Sequence, residues 1–256
     1  MTALSRITCF AAHALSAEAR EALAQELYAV HAEIFDGLDY EGFRDYVVSS
    51  PAWRTWIYVR HDHEGQLVGY TAIHAFRREL QGRSCTVIRM EAGTLPPARG
   101  KDLTIFYAVS RVFRVWIQKP LRPVYMLSAL THPSSYTYLA HYAPVLWPHV
   151  RFDGVPPDVL QRMDALADSF GLDKVNPANP LVRRINWVTK ETEAERARWL
   201  ASRRPDTRFY LQNNPGYAEG HGLLTLIPIS SLMLVRMLLR FIRSRAGKLM
   251  RVAFGH

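Results

Sequence analysis

Cysteine is almost absent from this chain. Cys9 and Cys85 are the only two in 256 residues, so neither a disulfide framework nor a cysteine-built metal cluster organises the fold. So few thiols suit a reducing compartment, and a cytoplasmic location is the expectation. Long uninterrupted apolar runs are lacking too. The N-terminus carries Arg6 and a few apolar residues but no basic head followed by an extended apolar core, which argues against a secretory signal. The most apolar stretch, from Gly222 onward, is interrupted by Arg236, Arg240 and Arg243, and an arginine at the centre of a bilayer is disfavoured by roughly 3 kcal/mol. There is no internal repeat and no low-complexity tract. The one tight histidine cluster, His61-Asp62-His63, falls in a turn and has no third and fourth ligand at zinc spacing, so no metal is expected.

Acidic residues are in deficit as well: 23 Asp and Glu against 32 Lys and Arg give a net charge of +9. Such a chain attracts anionic partners. Nucleic acid is not expected, because no recognition motif and no dense basic–aromatic stripe is present. An acidic carrier protein and an anionic membrane surface are the two remaining partner classes. With 48% hydrophobic residues the chain can bury one large core, or one domain with a substantial appendage.

The hydrophobic periodicity arranges that core. Ser16 is a candidate N-cap for a helix in which Leu23, Leu27, Val30 and Ile34 recur at helical spacing. A short helix over Tyr40 to Val48 stops at Ser49-Ser50-Pro51. Trp53 to His61 alternates as a strand, turns at Asp62-His63-Glu64-Gly65 and returns over Gln66 to Phe76; Arg83 to Gly93 is a third strand. Lys101 to Gln118 reads as a helix, Pro123 to Leu130 as an apolar strand and Ser134 to Tyr142 as a short helix. Antiparallel strands followed by a βαβα unit predict an α/β fold: a mixed, mostly antiparallel sheet with helices on both faces.

Between the third strand and the following helix the chain reads Leu95-Pro96-Pro97-Ala98-Arg99-Gly100-Lys101-Asp102-Leu103. A basic glycine turn opening a helix is a phosphate-binding arrangement, since free backbone N–H groups and the positive dipole end point at the same place. Residues 16–147 resemble the GNAT superfamily of N-acyltransferases, in which the sequence Val-Pro-x-x-Arg-Gly-Lys at this turn holds the pyrophosphate of acyl-coenzyme A. The resemblance implies a cofactor-binding role for Leu95, Arg99, Gly100, Lys101, Asp102 and Leu103. Asp102 stands where the family has its second glycine and Thr104 where a third small residue is common, and a carboxylate beside a pyrophosphate is electrostatically unfavourable. A phosphopantetheine arm on an acidic carrier protein presents the same thioester and needs a less perfect turn.

Acyl transfer to an amine requires a base for the amine and an acid for the leaving thiolate. The resemblance implies Glu91 on the third strand for the first role. Tyr136, Tyr138 and Tyr142 lie on the helix that carries the family's acid, and Tyr138 has the spacing; His132, in Thr-His-Pro, opens that helix. The bland readings are an Arg89–Glu91 pair on a wet strand, a core tyrosine and a capping histidine.

Beyond residue 150 the chain holds material that such a core does not need. The expected organisation is a GNAT-like core at 1–150, a helical insertion or lid at 151–205, the last strands at 206–229 and a basic apolar helix at 230–256. Within it, Arg183 to Thr189 and Arg208 to Gln212 read as strands and Asn176 to Pro180 as a linker-like turn. In the last helix Arg236, Arg240 and Arg243 recur as one stripe among apolar residues, which fits a helix lying in the interface of an anionic membrane at the cytoplasmic face, or one packed into its own domain or a dimer. The functional expectation is an N-acyltransferase that moves an acyl group from an acyl-CoA or acyl-carrier-protein thioester to a small-molecule amine in a ternary complex. The alternative is a protein of the same fold that has given up acetyl-CoA, serving as a membrane- or carrier-docking module or in unrelated chemistry.

Overall fold

The computed structural model describes residues 6–99, 104–185 and 187–254. Strand β1 (Arg6–Ala11) leads to helix α1 (Ala17–Ile34), which starts where the Ser16 hydroxyl accepts from the Ala19 N–H at 3.2 Å. There follow β2 (Phe35–Asp36), α2 (Tyr40–Phe43) with a π-turn over Arg44–Val48, and three long strands, β3 (Arg54–His61), β4 (Leu67–Leu80) and β5 (Arg83–Thr94). After a 3-10 turn (Pro96–Ala98) come α3 (Thr104–Gln118), β6 (Val124–Leu130) and α4 (Pro133–Tyr142). The remainder is α5 (Pro157–Asp168), β7 (Lys174–Asn176), β8 (Asn179–Arg184), β9 (Val188–Thr189), α6 (Glu193–Leu200), α7 (Pro205–Asn213), β10 (His221–Ile229) and α8 (Ser231–Phe254).

Eight strands form one sheet in the order β1-β3-β4-β5-β6-β10-β8-β7, and β2 pairs with β9 apart from it. Every described pairing is antiparallel except β5 with β6. The fold is therefore the mixed, mostly antiparallel α/β class that the periodicity predicts. On one face α1, α2 and the π-turn bury Leu23, Leu27, Phe43 and Val47 against Ile57, Val59 and Ala72, and α5 sets Met163 and Leu166 on Val87, Leu127 and Leu224. On the other, α3, α4 and α8 cover Ile73, Ala75, Ile88 and Met126.

The second half differs from expectation. Arg208 to Gln212 is not a strand: it lies in α7, where Pro205 at the first helical position supplies a helical φ and Thr207 and Tyr210 are buried at helical spacing. Residues 174–184 are not part of a helical lid but a hairpin that joins the sheet, and Asn176 to Pro180 contains its turn. The strand expected over Arg183 to Thr189 ends at Arg184, and Val188 and Thr189 leave to pair with β2. Edge strand β1, six residues long, was not foreseen.

The hairpin is tied to α5 by Arg183, whose side chain is wholly buried. Its Nη1 donates to Asp168 Oδ1 and to Leu172 O, both at 2.7 Å, Nε donates to Pro180 O at 3.0 Å, and Nη2 donates to Asp164. Removing the guanidinium strands two carboxylates and two carbonyls, so Arg183→Met is expected to destabilise the fold by about 3 kcal/mol, read as a lower urea midpoint at unchanged m-value.

His31 of α1 is packed among Phe35, Phe43 and Trp187, with Nδ1 2.8 Å from the Tyr70 hydroxyl. Burial pushes its imidazole down from 6.5 to about 4. Between those values the unfolded chain takes up a proton that the native chain refuses, so this contribution to stability is complete above pH 6.5 and is lost as pH falls towards 4. Its full size is about 3 kcal/mol. Urea titrations at stepped pH are expected to show that decline, and His31→Gln to flatten it.

Candidate functional site

The parallel pair at the middle of the sheet defines the site. β5 and β6 are in register only at Thr86, Val87 and Ile88 against Val124, Tyr125 and Met126. Both strands run on, β5 to Thr94 and β6 to Leu130, without a ladder between them. The two strands part there, leaving a cleft edged by backbone N–H and C=O groups rather than by side chains alone. β5 then delivers the chain into the 3-10 turn and α3. The described part of that turn is anchored: Leu95 N–H donates to Val68 O at 3.0 Å, and Arg60 Nη2 donates to Ala98 O at 3.1 Å. Gly100, Lys101, Asp102 and Leu103 lie outside the described residues.

Glu91 leaves β5 towards α1 and the π-turn and is 7% exposed. It is not an Arg89–Glu91 pair on a wet strand. His74 Nε2 lies 2.8 Å from Glu91 Oε2, and His74 Nδ1 lies 3.0 Å from the Thr55 hydroxyl. Arg89 donates to the Tyr46 hydroxyl, which is itself hydrogen-bonded to Glu91. Burial pulls the Glu91 carboxyl upward, but His74, Arg89 and Tyr46 together hold it below the ordinary carboxylate range. Burial, reinforced by Glu91, raises the Tyr46 phenol. Glu91 is thus a fixed carboxylate at neutral pH, held by a buried imidazole whose other nitrogen faces the Thr55 hydroxyl.

A second polar cluster closes the far end of β6. His132 is the N-cap of α4, and its Nδ1 accepts from Ser134 N–H at 3.2 Å and lies 2.7 Å from the Ser134 hydroxyl. Its Nε2 lies 3.3 Å from Glu191 Oε2, and Glu191 Oε1 accepts from the Tyr217 hydroxyl at 2.9 Å. Burial holds the His132 imidazole below its usual range although Glu191 pulls the other way. Arg99 turns back from the cofactor turn: Nε donates to Thr94 O at 3.2 Å and Nη1 lies 3.7 Å from Glu195 at the start of α6.

Tyr138 occupies the opposite face of the sheet from Glu91. With Met90, Met126, Val109, Leu234 and Met237 it lines an apolar cavity of about 40 Å³ between the sheet, α3, α4 and α8. Met90 and Glu91 are neighbours on β5 and point to opposite faces. The gap between β5 and β6 therefore has Glu91 on one face of the sheet, with His74 behind it on β4, and Tyr138 on the other. His74 was missed in the sequence; its strand position opposite Arg89 follows only once the turn at Gln81-Gly82 sets the β4–β5 register. The arginine stripe of α8 is divided: Arg236 and Arg243 are exposed, whereas Arg240 donates to Ala143 O, at the C-cap of α4, at 3.0 Å. No group of three or more metal-ligating side chains occurs among the described residues.

No protein-family model matches this sequence, and no curated protein matches it. Similarity to solved structures is found. A GNAT family N-acetyltransferase, YhbS from Escherichia coli, in complex with CoA aligns at 15% identity over 54% of this chain and 69% of its own, with a TM-score of 0.37. An acyl-CoA N-acyltransferase from Pseudomonas aeruginosa aligns at 18% identity over 56% and 88%, TM-score 0.35. NAA60 from Arabidopsis thaliana, in complex with acetyl-CoA, aligns at 16% identity over 57% and 90%, TM-score 0.34. Over a little more than half of its length the chain is similar to structures of GNAT N-acyltransferases.

Proposed function

We propose that this protein is a GNAT-type N-acyltransferase that moves an acyl group from an acyl-CoA or acyl-carrier-protein thioester to a small-molecule amine. The observation that carries the reading is the parting of β5 and β6 beyond Ile88 and Met126, immediately before a basic turn that opens onto α3. A pantetheine arm is a peptide-like chain, and the bare strand edges offer it the pairing that the sheet itself does not complete. A strand N–H at the cleft would polarise the thioester carbonyl. Leu95, Arg99, Gly100, Lys101, Asp102 and Leu103 would receive the phosphates, the first two from anchored positions.

In this mechanism the amine attacks the carbonyl directly within a ternary complex. Glu91 is too well stabilised as a carboxylate to be a strong base alone. It takes the amine proton through a bridging water as the C–N bond forms, while His74, in contact with it from β4, holds the carboxylate in place. Tyr138, on the other side of the cleft, returns a proton to the leaving thiolate. His132, braced by Glu191, is the other residue placed to relay protons, at the α4 end of the cleft. A carrier-protein donor is favoured by two features at the turn: the Asp102 carboxylate in the sequence and the pairing of Arg99 with Glu195, which leaves less positive charge for a diphosphate.

The test combines binding and rate. Saturable binding of acetyl-CoA or a longer acyl-CoA in calorimetry is expected, with Asp102→Gly tightening it. With a responsive amine in hand, Glu91→Gln is expected to lower kcat/KM about 100-fold and Tyr138→Phe about tenfold, with thermal melts confirming that both variants are folded. Absence of binding by wild type and by Asp102→Gly, together with failure of acyl-carrier protein as donor, would remove the transferase reading.

A further inference from the structure

Among the described residues ten large apolar side chains stand exposed, and eight of them lie on or beside two helices. Phe106, Phe113 and Ile117 project from α3, and Leu121 follows its end. Leu232, Val235, Leu239 and Ile242 project from α8. The two helices pack side by side on the same face of the sheet. Their inward faces, through Val112, Val115, Met237 and Phe241, belong to the core, so their outward faces share one side of the molecule. Concentration of exposed apolar side chains on one side marks an interaction surface rather than ordinary surface scatter.

Charge decides what covers it. Neither α3, of 15 residues, nor α8, of 24, contains a single Asp or Glu. Arg114, Lys119, Arg236 and Arg243 are exposed around the apolar side chains, and the sequence of α8 goes on with Arg245, Lys248 and Arg251. A second copy of this chain docked on the same face would set arginine against arginine with no carboxylate on either helix to pair them. A layer of lipid phosphates above hydrocarbon satisfies both components at once. No helix among the described residues is long and apolar enough to cross a membrane, so the helices would lie on the bilayer.

We infer that the outward faces of α3 and α8 together form a docking surface for an anionic lipid bilayer. The surface is wider than the C-terminal helix alone: α3 contributes three of the eight apolar side chains and Leu121, after its end, a fourth. It also does not depend on acyl transfer. The surface nonetheless roofs the apolar cavity, whose lining takes Val109 and Val112 from α3 and Leu234 and Met237 from α8, and so puts the cleft beside the lipid.

Co-sedimentation of the full chain tests it, with vesicles of phosphatidylcholine alone and of equimolar phosphatidylcholine and phosphatidylglycerol. Wild type is expected to pellet with the anionic vesicles at least tenfold better than with the zwitterionic ones, and less as salt rises. Phe113→Asp on α3 and Leu239→Asp on α8 are each expected to reduce binding about tenfold, while thermal melts stay close to wild type because both side chains are outside the core. Arg236→Glu combined with Arg243→Glu is expected to abolish the preference for anionic lipid. Undiminished binding by Phe113→Asp would overturn the joint surface. A wild type that ignores vesicles, and in light scattering forms a dimer that both aspartate variants dissociate, would assign the face to a second copy instead.

Discussion

One parallel contact in an otherwise antiparallel sheet governs this molecule. Antiparallel neighbours can be joined by a tight turn, as β4 and β5 are, but a parallel neighbour requires the chain to cross the whole sheet before it returns. Here the crossover is the turn after β5 followed by α3, so the helix N-terminus is delivered to the end of the strand pair by topology. The pairing then covers three residues on each strand and stops. β6 is held by β10 on its other side over the whole length from Val124 to Leu130, so it stays in the sheet although its edge towards β5 is paired over three residues only. Beyond Met126 β6 is held from one side only, and its edge towards β5 has no ladder partner.

The second constraint is the handling of buried charge. Glu91, Arg89 and His74 are all less than a tenth exposed, and three ionisable groups in so little water persist only by neutralising one another. They sit on the same sheet face as the apolar clusters under α1 and α5, in the gap between them. Tyr46 from the π-turn bridges Arg89 and Glu91, and Phe170, following α5, stacks on the Arg89 guanidinium at 4.9 Å.

How much of this could be read from the sequence depended on the range of the interactions. α1, α3 and α4 declare themselves by period and by caps such as Ser16, and β3, β4, β5 and β6, buried on both faces, by apolar runs bounded by turns. The later elements do not. Phe209 and Tyr210 have strand preferences, and only Pro205 signals that tertiary packing makes them helical. β7 and β8 are short, and they are held to α5 by Arg183 and Lys174, which share Asp164 and Asp168. In the site, Glu91 was legible because it lies a few residues before a recognisable turn. His74 and Glu191 were not: one needs the register of a hairpin, and the other is brought to His132 from 59 positions away. The arginine stripe of α8 was legible as a period, but the loss of Arg240 to the end of α4 is a tertiary event.

The placement of Glu91 and Tyr138 on opposite faces of β5 has a consequence for the proposed chemistry. A thioester held between the parted strands, as proposed, would have one flank towards Glu91 and the other towards Tyr138 and the apolar cavity. An amine that attacks from the first flank makes a tetrahedral centre, and the thiolate departs from the second, where the apolar wall disfavours an unprotonated sulfur and so makes a nearby phenol effective. Base and acid need not share a pocket, and neither can quench the other across the cleft. In the proposed reaction the same geometry would keep the two substrates apart, the polar amine on the side of α1 and the π-turn and the acyl chain on the side of α3 and α8. Those two helices are apolar on both their inner and their outer faces. That is unusual for helices at a surface, and it is what a donor-binding wall requires if its far side also meets hydrocarbon.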